Sequence, residues 1–282
     1  MSVEIFDSRT CSLGEGPLWH PERNQLFWFD INNKQLLSQK DGTKLTWQFN
    51  EHVSAAGWVS ASKLLIASET ALFSFDVDTK EKRHICSLEA DNPDTRSNDG
   101  RADPWGGFWI GTMGKQAEPE LGSIYRFYKG NLHKLFPNIT ISNSICFSPD
   151  RNWAYYTDTP KQQIMRQKLD GDGWPDGAPD IFVDLRAEGL NPDGSVVDAD
   201  GYLWNAQWGA GRLARYAPNG SFAEAVNLPA SQATCPAFGG PQLSILFATS
   251  ASDGLDSSSE LDGATFFKDM QIAGQKEHQV KL

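Results

Sequence analysis

Ser144-Ile145-Cys146-Phe147-Ser148-Pro149-Asp150-Arg151-Asn152-Trp153-Ala154-Tyr155-Tyr156-Thr157-Asp158 holds a short apolar run, a turn and an aromatic β-prone run in direct succession. Ser148 to Asn152 is turn chemistry, because Pro presets φ while Asp and Asn close local hydrogen bonds. After another polar turn, Gln163 to Leu169 alternates as a half-buried strand does. Asp170-Gly171-Asp172-Gly173 then breaks the chain, and Asp180 to Asp184 supplies a fourth run. The pattern predicts four short antiparallel strands in about 45 residues.

The same phrase returns along the whole chain. Its openings are Glu15-Gly16-Pro17, Ala55-Ala56-Gly57, Asn98-Asp99-Gly100, Asn143-Ser144, Asp193-Gly194 and Thr234-Cys235-Pro236. Leu18 to Asn24 leads into Gln25-Leu26-Phe27-Trp28-Phe29-Asp30, and Val196 to Gly201 leads into Tyr202-Leu203-Trp204-Asn205-Ala206. Helical periodicity with caps is hard to find, apart from a turn near Ser257 to Leu261. Four-strand units at this period are the signature of a β-propeller. Six openings predict an all-β, six-bladed β-propeller with four-stranded antiparallel blades, residues 1–282 forming one domain. No linker interrupts the series, as a two-domain sandwich would require. Val3-Glu4-Ile5-Phe6 precedes the first unit, and its expected use is to complete the last blade and so remove the sheet edges.

In such a ring the innermost strands line a central channel, and the residue just before each sits at the channel mouth. Glu15, Asn98 or Asp99, Asn143 and Asp193 hold that place. Carboxylates and amides converging at one end make an oxygen-rich basket, which favours hard cations: calcium first, then magnesium or manganese. Carboxylates also bind zinc, and iron(II) is a further candidate. Any one of these residues alone reads as an ordinary turn former. Their shared register across the blades argues for a set, and Glu15, not a favoured turn residue, argues most strongly. Like charges buried together also call for a compensating cation.

The formal net charge of -11 excludes the clustered Lys and Arg of a nucleic-acid groove or an anionic-membrane surface. Cys11, Cys86, Cys146 and Cys235 are far apart in sequence and read as buried thiols of a reduced compartment rather than a zinc site. No signal-peptide pattern and no membrane-length apolar run is visible, so a cytoplasmic location is expected. No serine-hydrolase elbow, His-Glu-x-x-His, Walker loop or Gly-x-Gly-x-x-Gly occurs. The five histidines are scattered, His20 reading as a surface or supporting residue. The tryptophans read mainly as core, with Trp58 and Trp208 near channel ends.

With these residues in view, the chain resembles the SMP-30/gluconolactonase (regucalcin-like) lactonase family nearly end to end. The resemblance is carried by Leu13-Gly14-Glu15-Gly16-Pro17-Leu18-Trp19, Arg96-Ser97-Asn98-Asp99-Gly100-Arg101-Ala102-Asp103, Gly111-Thr112-Met113, Ile141-Ser142-Asn143-Ser144 and Pro192-Asp193-Gly194-Ser195-Val196-Val197-Asp198. It implies hydrolysis of a sugar lactone with one divalent metal ion, the partner being a small-molecule lactone such as a pentono- or hexonolactone. By motif match Glu15, Asn143 and Asp193 take the metal-ligand places, while Arg96 and Asn98 hold substrate oxygens. Some members carry a Glu after Gly-Thr-Met; here Gln116 is the nearest match as a substrate contact. The resemblance places Asp193 as general base, with Asp99 as the alternative base or a supporting residue. Stretches around Asp193 and Trp204 and the tail Ile272-Ala273-Gly274-Gln275 resemble the bacterial sugar-acid branch. A calcium-dependent phosphotriesterase and a non-catalytic calcium-binding propeller are the competing readings. Sugar preference is expected to reside in channel-mouth loops such as Met113 to Leu121 and Ser252 to Leu261.

Overall fold

The computed structural model describes residues 2–255 and 259–282. The helical turn expected near Ser257 to Leu261, and the Ser252 to Leu261 loop, lie only in part within the described residues. Strand β1 (Glu4–Asp7) opens the chain, followed by β2 (Gly14–His20), β3 (Gln25–Asp30), β4 (Gln35–Lys40) and β5 (Thr43–Gln48), which form blade 1. Blade 2 is β6 (Val53–Trp58), β7 (Lys63–Ser68), β8 (Ala71–Asp76) and β9 (Lys82–Ser87). Blade 3 is β10 (Thr95–Ala102), β11 (Phe108–Gly114), β12 (Gly122–Tyr128) and β13 (Asn131–Ile139). Blade 4 is β14 (Ser142–Phe147), β15 (Trp153–Asp158), β16 (Gln163–Lys168) and β17 (Asp180–Asp184), with a 3-10 turn at Thr159–Lys161. Blade 5 is β18 (Asn191–Val197), β19 (Leu203–Trp208), β20 (Arg212–Tyr216) and β21 (Phe222–Asn227). Blade 6 is β22 (Gln232–Gly239), β23 (Ile245–Ala251) and β24 (Thr265–Asp269), completed by β1.

The protein is thus an all-β, six-bladed β-propeller of four-stranded antiparallel blades. The first strand closes the ring as expected: β1 pairs antiparallel with β24, Ile5 facing Phe266. That pairing joins the chain's beginning to its last blade and satisfies an edge that would otherwise stand open. Burial falls from axis to rim. Every residue of β6 and β14 is buried, whereas β9 and β21 are largely exposed. Trp28, Trp109 and Trp204 occupy second strands of alternate blades and are fully buried, so these tryptophans are core. The Asp-rich turns after inner strands have a structural task. Asp103 accepts from the amides of Trp105 and Gly107 and pairs with buried Arg126 at 2.7 Å; Asp198 does the same for Asp200, Tyr202 and Arg215.

The far end of the channel, where the inner strands finish, is crossed by the C-terminal segment. Gln275 Nε2 donates to Phe147 O and Val197 O, both at 3.0 Å. The Val280 amide donates to Trp58 O, Trp58 Nε1 donates to Glu277 O, and the Lys281 amide donates to Gly106 O. Glu277 forms an ion pair with Arg101 on β10. The tail therefore stitches blades 2, 3, 4 and 5 together over the axis. His20 sits at this end as well, buried against Trp58 with Nε2 2.9 Å from Ser60 O, and not on the surface. Among the described residues no helix is long and apolar enough to cross a membrane.

Candidate metal and substrate site

The same irregularity interrupts all six inner strands. Pairing with the second strand slips between Glu15 and Leu18, Val53 and Ala55, Ser97 and Gly100, Asn143 and Cys146, Pro192 and Ser195, and Ala233 and Pro236. A β-bulge leaves residues unpaired and re-aims their side chains. Here it turns polar groups toward the axis instead of into the blade. The key residues therefore lie within the inner strands, at or beside the bulge, and not in the turn before them. Gly16 adopts φ of 53° in its bulge, and a Cβ there would collide with Ser54 O of the next blade. That conformation and that closeness both favour glycine. Ser144 takes the equivalent left-handed conformation at φ 61°. Its hydroxyl donates to the backbone carbonyl of Asp193, which Asn205 Nδ2 also binds at 3.1 Å. Blade 4 thus fixes the backbone that carries Asp193.

These side chains form the floor of a cavity of about 390 Å³ at the channel mouth. Glu15, Arg96, Asn98, Asn143 and Asp193 all line it. Leu13, Met113, Ile141, Pro160 and Trp208 form its walls, with Thr159 and Asn191 as the remaining polar groups. Arg96 Nη1 donates to Asn98 Oδ1 at 2.8 Å and to Ser97 O at 2.9 Å. Asn98 Nδ2 donates to Asn143 Oδ1 at 3.1 Å, and Asn143 Nδ2 donates to Thr159 Oγ1 at 2.9 Å. Asp99 does not line the cavity; it is buried beside it, where Oδ2 accepts from the Ile145 amide at 2.6 Å. Gln116 is not brought to the floor. Its side chain is exposed in the β11–β12 turn, where its backbone amide donates to Glu118. Trp208 borders the cavity, whereas Trp58 belongs to the opposite end.

Burial governs the electrostatics. Desolvation, reinforced by the Asp99 charge, pushes the Glu15 carboxyl from 4.5 to about 8. Asp193 is raised well above the usual carboxylate range by burial and by the facing Glu15 and Asp99. Burial also lifts Asp99 to about 6 and lowers Arg96 to about 10. Glu15 and Asp193 both act on the one Arg96 guanidinium, and Asp99 feels Arg101, which already pairs with Glu277, so full ionisation leaves excess negative charge on the floor. A divalent cation supplies that compensation, and oxygen donors from two carboxylates and a carboxamide suit a hard ion. Among the described residues no three His, Cys, Asp or Glu side chains form a metal-holding group; the Asn143 carboxamide is a further oxygen donor lining the same cavity as Glu15 and Asp193.

The SMP-30/gluconolactonase/LRE-like region, as a family model, matches residues 13–252. The chain belongs to this family. A solved structure described as a calcium-binding protein, regucalcin, from Agrobacterium tumefaciens superposes on it with a TM-score of 0.96 at 40% identity, covering 99% of this chain and 97% of that one. The L-arabinolactonase of Azospirillum brasilense is 35% identical over 96% of this chain and 92% of its own length. The 6-deoxy-6-sulfogluconolactonase of Pseudomonas putida is 33% identical, covering 85% of this chain and 83% of that protein. Sequence reasoning placed Trp208 near a channel end but did not find Thr159, Asn191 or Pro160 of this family member's cavity. Thr159 and Pro160 lie in the 3-10 turn after β15, which has no counterpart in the repeat, whereas Asn191 opens β18. The only signal was Pro160, which stops the strand just beyond Thr159.

Proposed function

We propose that the protein hydrolyses the ester bond of a small sugar lactone, with a divalent cation held by Glu15, Asn143 and Asp193. The observation that carries this reading is the placement of buried Arg96 and Asn98 on the same cavity floor as the two carboxyls. A purely cation-binding scaffold has no use for a guanidinium beside its cation. A bound divalent cation supplies Lewis-acid polarisation of an ester carbonyl and acidifies water.

The chain's own residues account for the other requirements. Asp193 accepts the proton of the attacking water, since its buried carboxyl is the base that both lines the cavity and faces Glu15. Arg96 offers donors to the carbonyl oxygen as negative charge grows there, in a site where water screening is weak. Asn98, held at both ends of its carboxamide, keeps Arg96 in place. Addition of water oxygen to the carbonyl carbon is followed by cleavage of the ring C–O bond, and the proton taken by Asp193 passes to the departing alkoxide. Asp99 supports this arrangement through charge and through the Ile145 amide, without reaching the cavity. The four free cysteines fit a reducing compartment such as the cytoplasm.

A panel of aldonolactones, followed by acid release on protein stripped of metal and reloaded with calcium, zinc, manganese, magnesium or iron(II), tests the reading. Turnover should appear on reloading and vanish in Asp193→Asn with the fold retained. Asp193→Asn that kept most of its lactonase rate with metal bound would remove Asp193 from the role of base.

A further inference from the structure

The carboxamides of Asn98 and Asn143 belong to a hydrogen-bond chain whose direction is fixed at both ends. At one end, Thr159 Oγ1 donates to Pro192 O at 2.8 Å. A carbonyl can only accept, so the single hydroxyl proton of Thr159 is committed there. The hydroxyl therefore presents a lone pair to Asn143, which the amide half of that side chain satisfies at 2.9 Å. Asn143 Oδ1 is thereby turned the other way, where Asn98 Nδ2 donates to it at 3.1 Å. Asn98 Nδ2 is also fixed by Ser142 O at 2.8 Å, and Asn98 Oδ1 accepts from Arg96 at 2.8 Å, which closes the other end with a pure donor. Every link runs in one sense, across blades 3, 4 and 5.

We propose that Thr159 is a positioning residue that, opposite Asn98, sets the Asn143 carboxamide so that its oxygen and not its NH2 group is offered to a cation. With the hydroxyl removed, one of the two bonds that set the Asn143 carboxamide is lost, and only Asn98 Nδ2 still opposes its rotation by half a turn. After that rotation its NH2 group would stand where Oδ1 now is, which leaves no third oxygen for a cation. Thr159 itself lies on the 3-10 turn beyond β15 and is only half-buried, so its hydroxyl is not needed for the core. The inference rests on the reading of Asn143 as a cation ligand, and its test separates the two.

Two measurements on Thr159→Val and Thr159→Ser decide it: calorimetric titration of chelator-stripped protein with calcium chloride, and NMR of the Asn143 and Asn98 side-chain NH2 groups with solvent exchange. Thr159→Val should bind calcium about tenfold more weakly, the scale seen when a ligand's supporting hydrogen bond is removed. Its Asn143 NH2 protons should exchange with solvent at least about tenfold faster, since their acceptor is gone. Thr159→Ser should match the wild type in both. Equal calcium affinity and equal exchange in Thr159→Val and wild type would overturn the proposal, as would a serine variant as impaired as valine. If the wild type takes up no divalent cation, the metal reading fails, and the exchange measurement still decides the orientation. Thr159→Ala replaces Thr159→Val should the branched side chain prevent folding.

Discussion

Removing divalent cations should make the protein lose stability as the pH rises through neutrality. Glu15 is shifted from 4.5 to about 8 by burial and the Asp99 charge, so the folded protein keeps a proton there that the unfolded chain releases. A carboxyl raised in this way contributes stability that is complete below its unfolded value and is lost as pH climbs through its folded one. For Glu15 the full contribution is about 5 kcal/mol, at about 1.4 kcal/mol per pH interval. His20, His52 and His278 are lowered from 6.5 by burial and pull in the opposite sense at acid pH, because they charge more readily when unfolded. At pH 6.5 the unfolded imidazoles are still half charged, and their neutralisation by about pH 8 returns about 1 kcal/mol in all. Between pH 6.5 and 8 the loss from Glu15 alone is then about 2 kcal/mol, and raised Asp193 adds to it in the same direction. With the histidines subtracted and an unfolding entropy of about 0.6 kcal/mol/K for a chain of this size, Tm should fall by about 2 °C or more across that window. Scanning calorimetry at pH 6.5, 7.0, 7.5 and 8.0, in chelator and in excess calcium, measures it. Calcium should flatten the slope, because a bound cation replaces the protons, and its affinity should rise with pH for the same reason. A chelated protein whose Tm is flat or rising over this range, or a slope that calcium leaves untouched, would refute the reasoning.

Other outcomes follow from single contacts. Arg96→Lys keeps a charge but loses the planar guanidinium, whose Nη1 donates to both Asn98 and Ser97 O while its other nitrogens remain for substrate, so kcat/KM for a lactone should fall about a hundredfold while calcium binding persists in calorimetry. Gly194→Ala places a Cβ 2.5 Å from Cys235 Cβ of the neighbouring blade and should cost about 1–3 kcal/mol in urea unfolding, by overpacking the axis. Glu277→Gln removes the partner of the buried Arg101 guanidinium at the far end and should cost about 3–5 kcal/mol. Its kcat should stay unchanged, since the ion pair lies away from the cavity.

The ring was legible because the repeat is written in residues that strands and turns require: aromatic second strands, Asp-Gly and Pro-Asp turns, and a stray first strand needing a partner. The site was legible at Glu15, Asn98, Asn143 and Asp193 because equivalent positions of a radial repeat meet at its axis, where all four line one cavity. What placed them was less visible. The bulges in all six inner strands depend on pairing register, which a single strand's residues do not display. Gln116 illustrates the opposite case, in which distance along the chain from Gly111-Thr112-Met113 suggested a contact. The turn around Gln116 carries that side chain out to solvent, and Met113 of the same string borders the cavity instead. Thr159 and the tail escaped notice because neither belongs to the repeat. Their roles exist only through partners such as Pro192 and Trp58, distant in sequence.

The segment from Gln275 to Lys281 makes the propeller a bottle and not a pipe. Whatever enters through the neck beside Trp208 has to leave by that neck. The open-chain acid made from a neutral ring would share this exit with the next incoming molecule, so such a product should inhibit competitively. It would also carry a fresh carboxylate beside Arg96 and any bound cation, and that attraction would hold it on the floor the next ring needs.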